Sequence, residues 1–364
     1  MTSFSFASAQ APLPPSVLEE LECDIRQQRG SGIRKERGSG QSLLELPFSA
    51  SEFEAIRAGA EQDLRRLLGL TSEHHVLFLQ GGATALFSLV PMNLLREGES
   101  ADYIETGLWS RRALEAASAW GAIRAAAAGD GRSLPRPQTW RMSSDSVYCH
   151  VTSNETAEGL QFRSFPDLGG VPLVADMTAD FLTRPIPLDP FGLIYASAQK
   201  NIGIAGMTIV VIHEDLLGRA GKGVPAPFNF ALQAAARSKV NTPPTFAIAV
   251  AGKMLRWLSD AGGLDAAEAR AVRRSASLYS LIDQDDFYSC PAAVQDRSRI
   301  SIRFHLSEAS LEAAFETEAE ATGLLHLRGH PSVGGFRASL YNSAPQQAVD
   351  ALAAFMDDFR RRKG

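Results

Sequence analysis

Between residues 76 and 212, short apolar runs alternate with longer stretches that have the periodicity of helices. The apolar runs carry hydrophobic residues at both odd and even positions, which is typical of strands covered on both faces of a sheet. Helical stretches at 85–95 and after Trp109 separate the first of these runs, as in repeated strand-helix-strand units. The pattern predicts a mostly parallel central sheet that contains VLFL (76–79), DYIET (102–106), VYCHV (147–151), PLVAD (172–176), LIYAS (193–197) and MTIVVI (207–212).

The C-terminal third of the chain has a different pattern. Two long helical stretches, 245–260 and 264–283, are separated by Gly262-Gly263, a pair typical of a helix end. We therefore expect a large domain over 1–260 and a small α+β domain over 261–364. The small domain would contain SRISIRFHL (298–306), a helix at 310–322, LLHLRG (324–329), FRASLYN (336–342) and a closing helix at 345–362.

Composition and charge narrow the class of protein. The 364 residues are 45% apolar and 21% charged, enough for one large core and a smaller one. A net charge of -5 argues against nucleic acid or an anionic membrane as a partner and favours a small molecule. Cys23, Cys149 and Cys290 are too widely spaced for a disulfide framework, which favours a reducing, cytoplasmic setting. The chain shows no secretory leader and no membrane-length apolar run of ~20 residues, so we expect neither export nor insertion.

Lys200 is the only charged residue in the apolar stretch 191–212. A lysine that follows a buried strand of a parallel sheet would lie in the crevice where such sheets bind ligands. Burial there would lower the pKa of its amine and make the neutral form available for a Schiff base. The alternative is an ordinary solvated loop lysine.

Three further features suit a cofactor with a pyridine ring and a phosphate. Asp176 ends another apolar run and could hold a proton on a ring nitrogen, or could simply cap a turn. Residues 81–84, Gly-Gly-Ala-Thr, lie between a strand and a helix, where free amides suit a phosphate. Trp109 could stack on a flat ring or belong to the core. His326 and His330 do not lie in a helical pattern, so no metal site is predicted.

Six segments together resemble one known family. They are SNETAEG (153–159), ASAQKNIGIAGMTIVVIHEDLLG (196–218), NTPPTFA (241–247), DFYSCPAAVQDRSRISIRF (286–304), GGFRASLYN (334–342) and FMDDFRRRKG (355–364). With them, from about residue 76 onward, the chain resembles the phosphoserine aminotransferases, which are class V, fold-type I enzymes that depend on pyridoxal 5'-phosphate (PLP). The resemblance implies an α/β fold, with a large domain built on a mostly parallel, seven-stranded type of sheet and a small C-terminal α+β domain.

The resemblance also implies a role for each residue of a PLP site. Lys200 and Asp176 would be the catalytic pair: Lys200 forms the Schiff base and moves the proton between Cα and C4′, and Asp176 holds the pyridine nitrogen. Arg337 would bind the substrate's α-carboxylate in a bidentate pair. The other implied cofactor contacts are Trp109 on the ring, Thr156 at the phenolic oxygen, and Ala83, Thr84, Gln199 and a partner subunit's Asn241 and Thr242 at the phosphate. The implied assembly is a homodimer that shares its active sites.

Three segments depart from the family where it holds its substrate. The family has Ser-Gly-Pro, Ser-His-Arg and Gly-His-Arg in the places where this chain has Ser8-Ala9-Gln10, Pro47-Phe48-Ser49 and Gly329-His330-Pro331. Two arginines and one histidine are thereby lost, and a buried phosphate is not held without cations. The substrate side would be lined by Ser8, Phe48, Ser49 and His330, with the N-terminal arm and the loop 25–49 at its mouth.

The main expectation is therefore an aminotransferase that moves an amino group between an amino acid, glutamate by resemblance, and a 2-oxo acid that is not phosphorylated. The alternative is a genuine phosphoserine aminotransferase in which other cations replace the lost ones. The candidates for that replacement are Arg29, Arg34, Lys35, Arg37, Arg237 and Lys239. A PLP-dependent lyase or decarboxylase is a second alternative, because the same electron sink serves any bond at Cα. A cofactor-binding relative without activity is the third.

Overall fold

The structure is a computed structural model that describes residues 3–26 and 42–364. The predicted cations Arg29, Arg34, Lys35 and Arg37 lie outside the described residues. The helices are α1 (Pro15–Arg26), α2 (Ser51–Leu68), α3 (Ala83–Leu94), α4 (Leu108–Ala117), α5 (Phe230–Ala235), α6 (Thr245–Asp260), α7 (Gly263–Ile282), α8 (Glu312–Ala321) and α9 (Gln346–Lys363).

The strands are short in the C-terminal part and longer in the central sheet. They are β1 (Phe4–Ser5), β2 (His74–Gln80), β3 (Ser100–Glu105), β4 (Ala122–Ala128), β5 (Ser146–Thr152), β6 (Asn154–Glu155), β7 (Leu160–Gln161), β8 (Leu173–Asp176), β9 (Phe191–Ser197), β10 (Met207–His213), β11 (Tyr288–Ser289), β12 (Ser301–Leu306), β13 (Leu324–Leu325) and β14 (Phe336–Ser339).

The central sheet has seven strands in the order β2-β10-β9-β8-β5-β3-β4. Strand β10 runs antiparallel to β2 and β9, and every other neighbouring pair in this sheet is parallel. Strands β8 and β9 are buried along their whole length, as their unbroken apolar pattern predicts. The predicted α/β fold, with a mostly parallel seven-stranded sheet, is confirmed. The edge strand β4 was not predicted.

The C-terminal part has its own sheet and its own core. Strands β11, β12 and β14 form an antiparallel sheet. Phe315 of α8 is fully buried among aromatic side chains, including Phe304 and Phe336 of this sheet and Phe359 of α9. The N-terminal strand β1 pairs in parallel with β13, and Phe6 joins this second core. The N-terminal segment therefore ties the start of the chain to the C-terminal part.

The arrangement of the strands brings several loops to one edge of the central sheet. The parallel strands β5 and β8 end side by side, with Thr152 paired to Asp176. Strand β9 ends three residues before Lys200. Because β10 runs antiparallel to both β2 and β9, β2 runs in the same direction as β9, and its carboxyl end lies at the same edge, next to the start of α3. Among the described residues, no helix combines the length and the apolar character needed to cross a membrane.

Candidate active site

A cavity of about 350 Å³ opens at this edge of the sheet, between the central sheet and the C-terminal part. It is lined by the strand ends, by the first turns of α3 and α4, and by the N-terminal segment. Most of the residues singled out from the sequence meet here. The predicted residues that line it are Ser8, Ala83, Thr84, Trp109, Thr156, Asp176, Gln199, Lys200, His330 and Arg337.

Lys200 and Asp176 interact through their charges inside this cavity. Burial lowers the pKa of the Lys200 amine to about 8, although the charge of Asp176 opposes that shift, and the charge of Arg337 adds to it. Burial raises the pKa of the Asp176 carboxyl, while hydrogen bonds from Thr178 oppose the shift, the backbone N–H of Thr178 donating to Oδ1 at 2.9 Å. The site therefore offers a nucleophilic amine near neutral pH beside a fixed carboxyl group.

The start of α3 offers free backbone donors to an anion. Its N-cap residue is Gly82, and no described side chain caps the helix. Gly81 has φ of 102°, a conformation that favours glycine, which turns the chain sharply from β2 into the helix. The amides of Ala83 and Thr84 thus face the cavity at the positive end of a twelve-residue helix. This corner suits a phosphate group.

A chain of hydrogen bonds joins Trp109 to the N-terminal segment. The indole Nε1–H of Trp109 donates to Thr156 Oγ1 at 2.8 Å. Arg337 donates from Nη1 to the Thr156 carbonyl at 2.7 Å and from Nη2 to Ser8 Oγ. The Ser8 carbonyl in turn accepts a hydrogen bond from the hydroxyl of Tyr341 at 2.7 Å. These contacts hold the indole and the guanidinium in fixed positions on the cavity wall.

Two buried glutamates hold the start of α4, the helix that carries Trp109. Glu155 accepts hydrogen bonds from the backbone N–H groups of Trp109 at 3.0 Å and Ser110 at 2.8 Å, and Glu158 accepts one from Leu108 at 2.9 Å. Burial, with the nearby charge of Glu158, raises the pKa of Glu155 to about 7. A Cβ at Gly107 would lie 2.5 Å from the Glu158 carboxyl carbon, so a larger residue there would have to displace this carboxyl group.

The chain is similar to known proteins along its whole length. The sequence model of the family described as Aminotransferase class-V matches residues 3–352. A curated relative named phosphoserine aminotransferase, from Laribacter hongkongensis, is 45% identical over 100% of both chains. The chain belongs to the phosphoserine aminotransferase family of class-V aminotransferases.

Solved structures of class-V aminotransferases give the same result. A phosphoserine aminotransferase from Bacillus circulans subsp. alkalophilus has a TM-score of 0.95 and 37% identity, and the alignment covers 100% of this chain and 99% of that one. A structure described as PLP-bound phosphoserine aminotransferase, from Trichomonas vaginalis, has a TM-score of 0.91 and 32% identity, covering 98% of this chain and 100% of that one. The fold-type I assignment made from the sequence is confirmed.

Some predicted residues of this class-V aminotransferase do not line the cavity of their own chain. Phe48 packs against the hydrophobic core around the central sheet, and Ser49 is exposed. The Asn241 side chain accepts a hydrogen bond from Gln233 at 3.2 Å, and the carbonyl of Thr242 accepts one from Gln80. Their roles stay predictions.

Two of the predicted replacement cations are engaged elsewhere in this class-V aminotransferase. Lys239 Nζ lies 2.6 Å from Glu54 Oε2, and Arg237 lies 3.6 Å from Glu54 Oε1. Hydrogen bonds from Arg57 and Lys239 lower the pKa of Glu54 to about 2, so the carboxylate stays charged. Within its own chain, neither cation reaches the cavity.

Sequence reasoning missed part of the cavity wall of this class-V aminotransferase. Thr152, Asn154, Thr178 and Ser197 line it as well. Thr152 and Ser197 are the last residues of strands β5 and β9, so their position at strand ends was a usable signal. Asn154 and Thr178 carry no such mark in the sequence.

Proposed function

We propose that this chain is a phosphoserine aminotransferase, which moves an amino group between phosphoserine and 2-oxoglutarate, and in reverse between glutamate and 3-phosphohydroxypyruvate. The observation that carries the proposal is the full-length similarity, at 45% identity, to a protein with that name. It supports the alternative raised from the sequence. The main expectation, a 2-oxo acid without a phosphate, finds no support in the comparisons.

The cofactor is pyridoxal 5'-phosphate, and the residues present fit it. The open amides at the start of α3 match a phosphate, and Asp176 is a buried carboxyl group at the cavity floor. Thr152 Oγ1 is buried beside Asp176 and has no hydrogen-bond partner among the described residues, which leaves a polar atom for a ligand to satisfy.

Each residue of the cavity would then have its own role in the reaction. When bound, PLP supplies an electron-withdrawing ring and a carbon that carries the amino group between substrates. Asp176 holds a proton at the ring nitrogen, and Lys200 Nζ holds the cofactor and moves the proton at the substrate's Cα. Trp109 would stack on the ring, and its hydrogen bond to Thr156 holds the indole in place. The helix start and Gln199 receive the cofactor phosphate.

Arg337 would bind the substrate's α-carboxylate. A guanidinium has five N–H donors, and two of them are used on Thr156 and Ser8. The remaining donors suffice for a carboxylate. Because Ser8 and Thr156 hold the guanidinium in place, the substrate's α-carbon would be brought to Lys200 in a single orientation.

A homodimer would complete the site. Thr242 lies next to the end of β2, at the same sheet edge as the cavity but outside it. We propose that Asn241 and Thr242 of the partner subunit reach the cofactor phosphate, which requires a two-fold assembly. Sedimentation analysis of the purified protein tests this, and a monomer that keeps full activity would contradict it. We also propose that the protein is cytoplasmic, as the sequence led us to expect.

A steady-state assay tests the proposed reaction. Purified enzyme with PLP is given phosphoserine and 2-oxoglutarate, and glutamate is measured together with ammonia and carbon dioxide. We expect glutamate to form without release of ammonia or carbon dioxide, and the Lys200→Ala variant to form no glutamate. Turnover with serine but not with phosphoserine would support the changed-specificity alternative instead. Release of ammonia or carbon dioxide without glutamate would support a lyase or decarboxylase.

A further inference from the structure

The cavity of one chain has few positive charges for a substrate phosphate. Among the described lining residues, Lys200, His330 and Arg337 are the basic ones, and the first and last are used for the cofactor and the α-carboxylate. Burial, with the charges of Arg337 and Arg112, lowers the pKa of His330, which favours the neutral imidazole. A doubly charged phosphate needs a further cation.

Arg112 is a cation in contact with Trp109, a residue that lines the cavity. It lies on α4, one turn after Trp109, and its guanidinium carbon is 5.2 Å from the centre of the indole ring. Its charge also contributes to the lowered pKa of His330, which lines the cavity as Trp109 does. The side chain is exposed and therefore free to change its conformation when a ligand arrives.

No carboxylate of the described residues neutralises the charge of Arg112. Within residues 3–26 and 42–364, no carboxylate forms an ion pair with it. The adjacent Arg111 is different, because its Nε lies 2.7 Å from Glu105 Oε1. Arg111 and Arg112 thus offer a matched pair, with the same residue type on the same helix, of which one is ion-paired and one is available.

His330 offers a second donor at the same place. Its Nδ1 accepts a hydrogen bond from the backbone N–H of Ser332 at 3.2 Å and lies 2.7 Å from Ser332 Oγ. This pattern assigns the proton of the neutral imidazole to Nε2, which can donate to a phosphate oxygen. Pro331 follows where the family has arginine, so the missing charge must come from another element.

We propose that Arg112 is a specificity-determining residue that binds the substrate phosphate together with His330 Nε2–H, replacing the arginine lost at Pro331. The inference rests on the proposed function, because it needs a phosphorylated substrate. Arg112 supplies the charge, and the indole of Trp109 holds its guanidinium by a cation–π contact until substrate arrives. Substrates without a phosphate do not use this residue.

The test compares Arg112→Gln with Arg111→Gln, each assayed with phosphoserine and, separately, with glutamate in the reverse direction. For Arg112→Gln we expect the KM for phosphoserine to rise about 10- to 100-fold with little change in kcat, since one charge-assisted contact is lost. The KM for glutamate should change less than about twofold. Arg111→Gln should leave both constants within about twofold, and Arg112→Lys should recover part of the loss.

A second readout uses salt. The KM for phosphoserine of the unchanged enzyme should rise with ionic strength, and that dependence should be weaker in Arg112→Gln. Visible absorbance of the bound cofactor and the thermal midpoint confirm that each variant is folded. Equal effects of the two glutamine variants, or an unchanged KM for phosphoserine in Arg112→Gln, would overturn the assignment of Arg112. An unchanged enzyme that does not turn over phosphoserine would instead overturn the proposed function.

Discussion

The protonation of Lys200 in the cofactor-free enzyme is a direct consequence of the site's geometry. Burial gives this amine a pKa of about 8 in place of 10.5. That difference corresponds to about 3 kcal/mol in favour of the neutral form. At pH 7.5, about a quarter of the Lys200 amines would be neutral, compared with about one in a thousand for an ordinary lysine. Capture of PLP should therefore be fast near neutral pH.

Stopped-flow mixing of the cofactor-free enzyme with PLP measures this directly. The rate of appearance of bound cofactor is followed from about pH 6 to about pH 10, with N-acetyl-lysine as a control amine of ordinary pKa. The control's rate, divided by its fraction of neutral amine at each pH, corrects for ionisation of PLP itself. After that correction the enzyme's rate should rise with pH and level off above about pH 8. A rate that keeps rising about tenfold per pH unit to pH 10 would refute the reasoning.

Removing the neighbouring charge should shift the same curve. Asp176 raises the pKa of Lys200 by its charge, so Asp176→Asn should move the levelling-off to a lower pH. The variant also loses the group proposed to hold the ring nitrogen, so transamination should be slow even where PLP is captured quickly. A curve that moves to higher pH would mean that the two side chains do not interact as described.

Two further changes test the wall that carries Trp109. Thr156→Val removes the acceptor of the Trp109 indole N–H, a hydrogen bond of 2.8 Å, and should weaken PLP binding about tenfold. The affinity is measured by titrating the cofactor-free enzyme with PLP, and an unchanged affinity would show that this hydrogen bond does not position Trp109. Gly107→Ala places a methyl group 2.5 Å from the Glu158 carboxyl carbon and should lower the free energy of unfolding, measured in urea, by about 1–3 kcal/mol. The control is Gly59→Ala in α2, where a Cβ would have nothing within 4 Å. It should be neutral or stabilise the protein by under about 1 kcal/mol.

Most of the central sheet could be predicted because its strands are buried on both faces. Strand β9 has no exposed residue, and its apolar run is unbroken. Strand β4 is different, since it lies at the sheet edge, is mostly exposed, and has the sequence AIRAAAA. Alanine favours helices, so the pairing of β4 with β3 overrides its local preference. In the predicted strand LLHLRG, His326 has φ of 64°, and strand β13 ends before it.

The candidate site, like the sheet, could be predicted only in part from the sequence. Lys200 and Asp176 stood out because charged residues are rare at the ends of apolar runs. Arg112 did not, because an arginine on an exposed helix face has no distinguishing mark in the sequence. Likewise, Lys239 looked available for a phosphate until the structure placed it 2.6 Å from Glu54, a residue 185 positions away. Contacts of this range depend on packing, which the local pattern does not record.

The central claim is that this site accepts an amino acid that carries a phosphate. The most direct measurement is a single-turnover reaction of the PLP-loaded enzyme with phosphoserine and with serine, which differ only in that group. The loss of the bound cofactor's visible absorbance reports the transfer of the amino group. We predict that phosphoserine reacts with a second-order rate constant at least about 100-fold higher than that of serine. Equal rate constants, or a preference for serine, would contradict the account.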